Sequence, residues 1–234
     1  MKLNRRLIAA TVLLGAVSML SAADITGKIT LKGTPPEEKT IGLDPTCGKL
    51  HPDGLKTRLY IVGKDGALAD VFVYISEGAP KGTAPAEPGV LDQKGCEYIP
   101  YVSGLQAGQK LLVKNSDDVL HNVHATPIVA GNKESNMAEL PKSKPLEFTF
   151  PNPEVLLRFK CDVHPWMFSY VGVVDHPYYA VSDKDGNFKI ANVPAGSYTV
   201  EAFHRKAGKV PQKVTVTADG AKADFNLEVP AAGK

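Results

Sequence analysis

The sequence is poor in cysteine, in aromatic residues and in clustered charge, and each shortage removes a class of protein. Three cysteines in 234 residues are too few for a disulfide scaffold, where cysteine exceeds roughly 8–10% of a short chain. No Cys-x-x-Cys-His run occurs, which excludes covalently attached haem. The 27 Lys and Arg against 25 Asp and Glu leave a formal charge of +2, and Lys2, Arg5 and Arg6 carry that excess. Basic residues do not cluster after residue 23, so nucleic acid, which needs a concentrated positive surface, is not an expected partner. Helical periodicity is nearly absent, no phosphate-binding loop occurs, and no hydrolase nucleophile motif is recognisable.

What is present begins at the N-terminus. Lys2, Arg5 and Arg6 precede an uncharged stretch, residues 7–23, that closes on Ser21-Ala22-Ala23. This pattern reads as a secretory signal over residues 1–23, cleaved before Asp24. Its seventeen uncharged residues fall short of the roughly 20 that span a bilayer, with a retained anchor as the alternative. The expected location is periplasmic or secreted, with no membrane span after signal removal and with disulfides able to persist.

Short alternating or β-branched runs punctuated by Gly, Pro, Asn and Asp fill the rest and predict an all-β protein. Candidate strands cover 25–31, 58–62, 71–75, 90–101, 110–114, 120–125, 146–150, 155–161, 170–174, 179–182, 187–193, 197–203, 213–217 and 223–229. Residues 78–89, with Pro80, Pro85 and Pro88, predict a linker, and a second break falls at Asp175-His176-Pro177. The outer pieces, 24–77 and 177–234, are each too small for a good core but together suit one β-sandwich around an inserted central domain. Domains in plain tandem are the alternative.

The central segment holds the chemistry. Phe159-Lys-Cys161-Asp-Val-His164-Pro-Trp-Met167 sets a thiol, an imidazole and a thioether at Cys-x2-His-x2-Met spacing. A Cys/His/His site with a long axial Met is the ligand set of blue copper. Upstream, His121 and His124 offer the second imidazole; strand alternation puts them on opposite faces, and spacing does not choose between them. If 155–161 is a strand, Val155, Leu157, Phe159 and Cys161 share one face.

Residues 85–176 resemble a cupredoxin of the amicyanin, pseudoazurin and plastocyanin group. The likeness is carried by Tyr98-Ile-Pro100, Gly108, Leu111-Leu-Val113-Lys-Asn115, His121-Asn-Val-His124, the strand from Pro153 to Cys161 and the short ligand loop; Glu154 stands where the family often has Gly. The resemblance implies one copper ion held by His121, Cys161, His164 and Met167, with His124 structural. It also implies that Asn115 hydrogen-bonds the Cys161 sulfur, and such contacts tune a metal's potential. Zinc on the same residues is the less apt alternative, because thioether is not among its usual ligands.

With Cys161 assigned to metal, Cys47 and Cys96 remain as an even pair and are expected to form a disulfide, against a weak rival Cys47/His51 metal site. Residues 179–204 resemble the carboxypeptidase regulatory-like family, a transthyretin-like β-sandwich, as do Gly27-Lys-Ile29 and Asp65 to Val73. Asp183-Lys-Asp-Gly-Asn187 does not continue as a calcium loop, since Phe188 and Pro194 stand where Gly and Glu are required; a hairpin turn accounts for it. The expected architecture is a cupredoxin Greek-key β-sandwich inserted in or joined to a transthyretin-like one.

Cupredoxin resemblance implies a single-electron carrier, not an enzyme, cycling Cu(II)/Cu(I) between redox proteins such as a c-type cytochrome or a dehydrogenase. Electrons are expected to pass at the exposed edge of His164, with Pro165, Trp166 and Phe168 as an apolar docking patch, or Trp166 as core. The alternative is a non-redox copper-binding or copper-delivery protein. A copper nitrite reductase ranks third, because His51, His124, His176 and His204 are scattered. Residues 126–145 are expected to be a solvated insertion.

Overall fold

The computed structural model describes residues 21–231. The predicted signal, apart from Ser21 to Ala23, lies outside the described residues, and no described helix is long and apolar enough to cross a membrane. The first part of the chain forms β1 (Ala22–Lys32), β2 (Thr40–Ile41), helix α1 (Pro45–Leu50), β3 (Leu55–Lys56) and β4 (Phe72–Glu77). The middle forms β5 (Gly89–Gln93), β6 (Tyr98–Ile99), β7 (Val102–Gln106), β8 (Lys110–Asn115), β9 (His121–Thr126), β10 (Ser135–Glu139), β11 (Leu146–Thr149), β12 (Glu154–Lys160) and β13 (Phe168–Val174). The last part forms β14 (Tyr179–Val181), β15 (Asn187–Pro194), β16 (Gly196–His204), β17 (Gly208–Val216), β18 (Ala221–Lys222) and β19 (Phe225–Glu228).

The molecule is all-β and built as sandwiches. Strands from the two ends of the chain share sheets: β1 pairs with β15, β18 and β19, and β4 lies between β14 and β16, with β17 outermost. Period-two burial explains why. In β15 Phe188 and Ile190 point inward between exposed neighbours, and in β19 Phe225 and Leu227 do the same. These side chains join Ile25, Ile29 and Val73 in one core. The middle strands form two further sheets, β10-β9-β12-β13-β7 and β11-β8-β5-β6, around a second core that includes Leu91, Val113, Phe159 and Cys161. Phe72, Tyr101, Val102 and Val174 fill a third, smaller cluster between β4 and the β7–β13 pair.

Three local expectations are corrected. The predicted strand 90–101 is broken into β5 and β6 by a turn at Gly95-Cys96, where both residues adopt positive φ. Residues 126–145 are not wholly a solvated insertion, because β10 pairs along β9 with Glu139 opposite His121. In β12 a register shift centred on Leu156, itself at φ 62°, turns Val155 away from the Leu157–Phe159 row. Val155 packs with Leu156 against the smaller cluster instead.

Candidate metal centre

Two paired strands and one loop assemble the centre. His121 opens β9, and Cys161 follows β12, which pairs with β9 through Lys160 opposite His124. In the core cluster that holds Cys161, Phe148 and Phe150 both meet Phe159 edge-on and form an aromatic floor. The chain then turns tightly: Cys161 N donates to Met167 O at 3.0 Å, and Met167 N donates to His164 O at 2.9 Å. This closes the ligand loop and buries His164 and Met167 beside Cys161.

One ligand atom each from His121, Cys161 and His164 lies within 4.8 Å of the other two, and all three residues are buried. The two imidazoles face one another through Nδ1, 2.9 Å apart, and His164 Nδ1 is 3.8 Å from Cys161 Sγ. The sulfur accepts backbone N–H groups of Asn122 and His164, each at 3.4 Å. Burial opposes charge on the thiol, but the neighbouring His121 and these N–H donors outweigh it and hold the Cys161 pKa below the usual thiol value. Burial likewise opposes charge on His121, yet the Asp117 carboxylate and the Cys161 sulfur lift it to about 9. Burial and then the neighbouring His121 charge lower the His164 pKa. Metal ligation takes sulfur as thiolate and imidazole as the neutral base, so a cation held by these three side chains would release the protons they carry.

The other predicted residues divide clearly. Met167 is in the same core cluster as Cys161 and is 1% exposed. His124 points to the opposite face, between Asp162 at 2.7 Å and Glu134 at 2.7 Å. Asn115 does not bond the Cys161 sulfur: its Nδ2 donates to Val119 O at 2.8 Å and Glu139 O at 3.1 Å, pinning the approach to β9, and Asn122 N takes the sulfur. Cys47 and Cys96 are joined as a disulfide. The Cys47/His51 metal site is therefore overturned, and His51 Nε2 instead meets Gly95 O at 2.6 Å.

The edge of His164 is not open. The residue is 7% exposed, and its Nε2 lies 3.5 Å from Oδ2 of Asp44, the N-cap of α1. Nor is the predicted patch a free apolar surface. Trp166 Nε1 donates to Cys96 O at 3.0 Å, and Phe168 lies under the Arg205 guanidinium, 5.0 Å from the ring centre. Pro165, Trp166 and Phe168 form one wall of a cavity of about 220 Å³ whose other wall carries Ile41, Leu55 and Arg58.

Sequence reasoning missed two carboxylates. Asp117 Oδ2 meets His121 Nε2 at 2.9 Å and also accepts Cys96 N at 2.8 Å, while Oδ1 accepts Gly95 N at 2.6 Å. Asp44 Oδ1 accepts Thr46 N and Cys47 N, leaving Oδ2 buried, without a hydrogen bond, and aimed at His164. The Asp44-Pro45 pair was a readable helix start, an N-cap followed by proline at the first helical position. Nothing local to either carboxylate pointed to the centre.

Fold and side chains together define a β-sandwich protein in which one cysteine and two histidines that could hold a metal ion converge in a buried cluster. No family model matches the chain, and no curated protein matches it. Among solved structures it is similar to an oxidized mutant of amicyanin, at 21% identity over 43% of this chain and 97% of that one, with a TM-score of 0.34. It is similar to a copper-containing nitrite reductase from Thermus scotoductus SA-01, at 20% identity over 42% of this chain and 25% of that one, TM-score 0.34. A purple cupredoxin from Nitrosopumilus maritimus is matched at 20% identity over 36% of this chain and 98% of that one, TM-score 0.31.

Proposed function

We propose that the chain is an exported type 1 copper protein that carries single electrons between redox proteins, with a c-type cytochrome or a dehydrogenase as the class of partner. The observation that carries this reading is the convergence of His121 Nδ1, His164 Nδ1 and Cys161 Sγ in one buried pocket, with Met167 buried alongside. Thiolate sulfur suits Cu(I) and imidazole suits Cu(II), so a copper ion bound there supplies a one-electron couple. The chain's own part is to keep the donors fixed. The closed 161–167 loop, the N–H bonds to sulfur and the aromatic floor hold them before metal arrives, which keeps rearrangement between oxidation states small.

Other histidines are spent elsewhere, which favours a carrier over a copper enzyme. His51 meets Gly95 O, His124 is held between Asp162 and Glu134, His176 Nε2 meets Ile75 O at 2.8 Å, and His204 caps a turn. One observation favours the second reading, copper binding or delivery without electron exchange: Asp44 covers the imidazole edge expected to face a redox partner.

Visible absorption during Cu(II) titration tests the assignment. The expected result is an intense thiolate-to-copper band that saturates at one equivalent, bleaches with reductant and is lost in Cys161→Ser. A band that survives Cys161→Ser, or no band at all, sinks the blue-copper reading. Fast electron self-exchange in the loaded protein then separates the carrier from the delivery protein.

A further inference from the structure

We propose that the Cys47–Cys96 disulfide, Asp44 and Asp117 form a brace that positions both imidazoles of the centre and shuts the outer edge of His164 from solvent. The four residues form a continuous chain of contacts. His121 Nε2 meets Asp117 Oδ2 at 2.9 Å, and the same oxygen accepts Cys96 N at 2.8 Å. Cys96 is bonded to Cys47, Cys47 N donates to Asp44 Oδ1 at 3.2 Å, and Asp44 Oδ2 lies 3.5 Å from His164 Nε2. Each half-cystine is therefore one carboxylate away from one imidazole, and each contact falls on Nε2, leaving both Nδ1 atoms facing inward.

Only half of this route belongs to the sandwich that carries the donors: Cys96 and Asp117 lie in its β5–β6 and β8–β9 connections, whereas Asp44 and Cys47 come from outside it. Residues 40–56 come from the stretch between β1 and β4, and the disulfide brings them across a sequence separation of 49 onto the Gly95-Cys96 turn. Both half-cystines are fully buried. His51 against Gly95 O and Trp166 Nε1 against Cys96 O add a second attachment on either side of that turn. Trp166 in turn leans on His164, with ring centres 5.2 Å apart. The strap is thus fixed to the Gly95-Cys96 turn by the disulfide and His51, the turn is fixed to the 161–167 loop by Trp166, and the energy that keeps the edge closed is that of local opening of this strap.

The cover is testable in the metal-free protein, independently of the copper reading; its consequence for metal retention rests on that reading. Diethyl pyrocarbonate modifies accessible imidazoles, and peptide mass spectrometry reads each histidine separately. In the wild type, His164 and His121 are expected to react far more slowly than His124. Compared as rate constants for the neutral imidazole, so that a changed pKa does not enter, His164 reacts roughly tenfold faster or more in Asp44→Ala and in the Cys47→Ser/Cys96→Ser double variant where it folds; in Asp117→Ala, His121 does. Gly172→Ala, which weakens packing away from the strap, leaves both rates as in the wild type. Equal rates in the wild type and Asp44→Ala overturn the brace, as does an acceleration by Gly172→Ala as large as that by Asp44→Ala. The second arm follows transfer of Cu(I) from loaded protein to bicinchoninate, expected to speed up roughly tenfold in Asp44→Ala. Unchanged transfer overturns the brace as a device for metal retention. A protein that takes up no copper yet shows the expected modification pattern keeps the cover and loses the copper reading.

Discussion

His204 takes no part in the centre and belongs to the outer sandwich. Its ring stacks on Tyr60 at 5.1 Å, and its Nδ1 accepts Lys206 N and Ala207 N at 3.3 and 3.1 Å, closing the turn into β17. Burial first, and the Arg205 charge second, hold its pKa down at about 4 against an ordinary 6.5. The unfolded chain therefore binds a proton that the folded chain refuses between those two values, and stability falls as pH drops through this window. From pH 6.5 to 4.5 the loss assigned to this group is about 2 kcal/mol. Denaturant titrations at the two pH values check this: His204→Gln should lose about 2 kcal/mol less across the interval than the wild type. Parallel pH dependences in the two proteins would remove His204 as the cause.

At the scale of elements, two glycines set how closely the sandwiches approach. Gly172 in β13 and Gly104 in β7 are register partners, and they leave a window filled by rings from β4 and β14. A Cβ on Gly172 would lie 2.3 Å from Phe72 Cζ, and one on Gly104 would lie 2.2 Å from Tyr179 Cε2. Phe72 is fully buried and has no open side to move toward. Gly172→Ala is expected to cost about 2–3 kcal/mol in thermal or denaturant unfolding while leaving the visible spectrum of a copper-loaded protein unchanged. An unshifted unfolding transition would show that the two sheets separate at little cost. These glycines also mark where sequence reading stops. Strands such as β15 and β19 are legible because their apolar residues alternate, and the three candidate ligands of the 161–167 loop because they share seven residues. The window at Gly104 and Gly172 has meaning only against another sheet. β10 escaped detection because its inward end is Glu139, a buried carboxyl that inverts the apolar pattern. Burial raises the Glu139 pKa to about 7 despite the Gln93 hydrogen bond. The Leu156 bulge escaped because positive φ at a leucine has no sequence signature.

The whole molecule is held together by two main cores that share no buried residue, and this permits a test of their independence. One core takes its side chains from residues 25–75 and 188–227, the other from Cys47 and residues 91–173. The two ends of the central segment leave and re-enter side by side: Gly82 N donates to Asp175 O at 2.8 Å, Lys81 pairs with Asp175 at 3.3 Å, and Ile75 N donates to Tyr178 O at 3.2 Å. Joining residue 82 to residue 175 through a few Gly and Ser residues spans that gap without bending β4 or β14, and a short closure adds little entropic cost. Such a shortened chain keeps every strand pair of β1 and of β4, because their partners are β14 to β19. It loses the apolar cover over Phe72 and Tyr179 and the disulfide partner of Cys47, so Cys47→Ser belongs in the same chain. The expected outcome is a cooperative thermal transition with dispersed amide resonances, at a lower midpoint than the full protein. A chain without cooperative unfolding would show that the outer sandwich depends on the central one through the Phe72–Tyr101 cluster, and that the smallest of the three apolar clusters couples the other two.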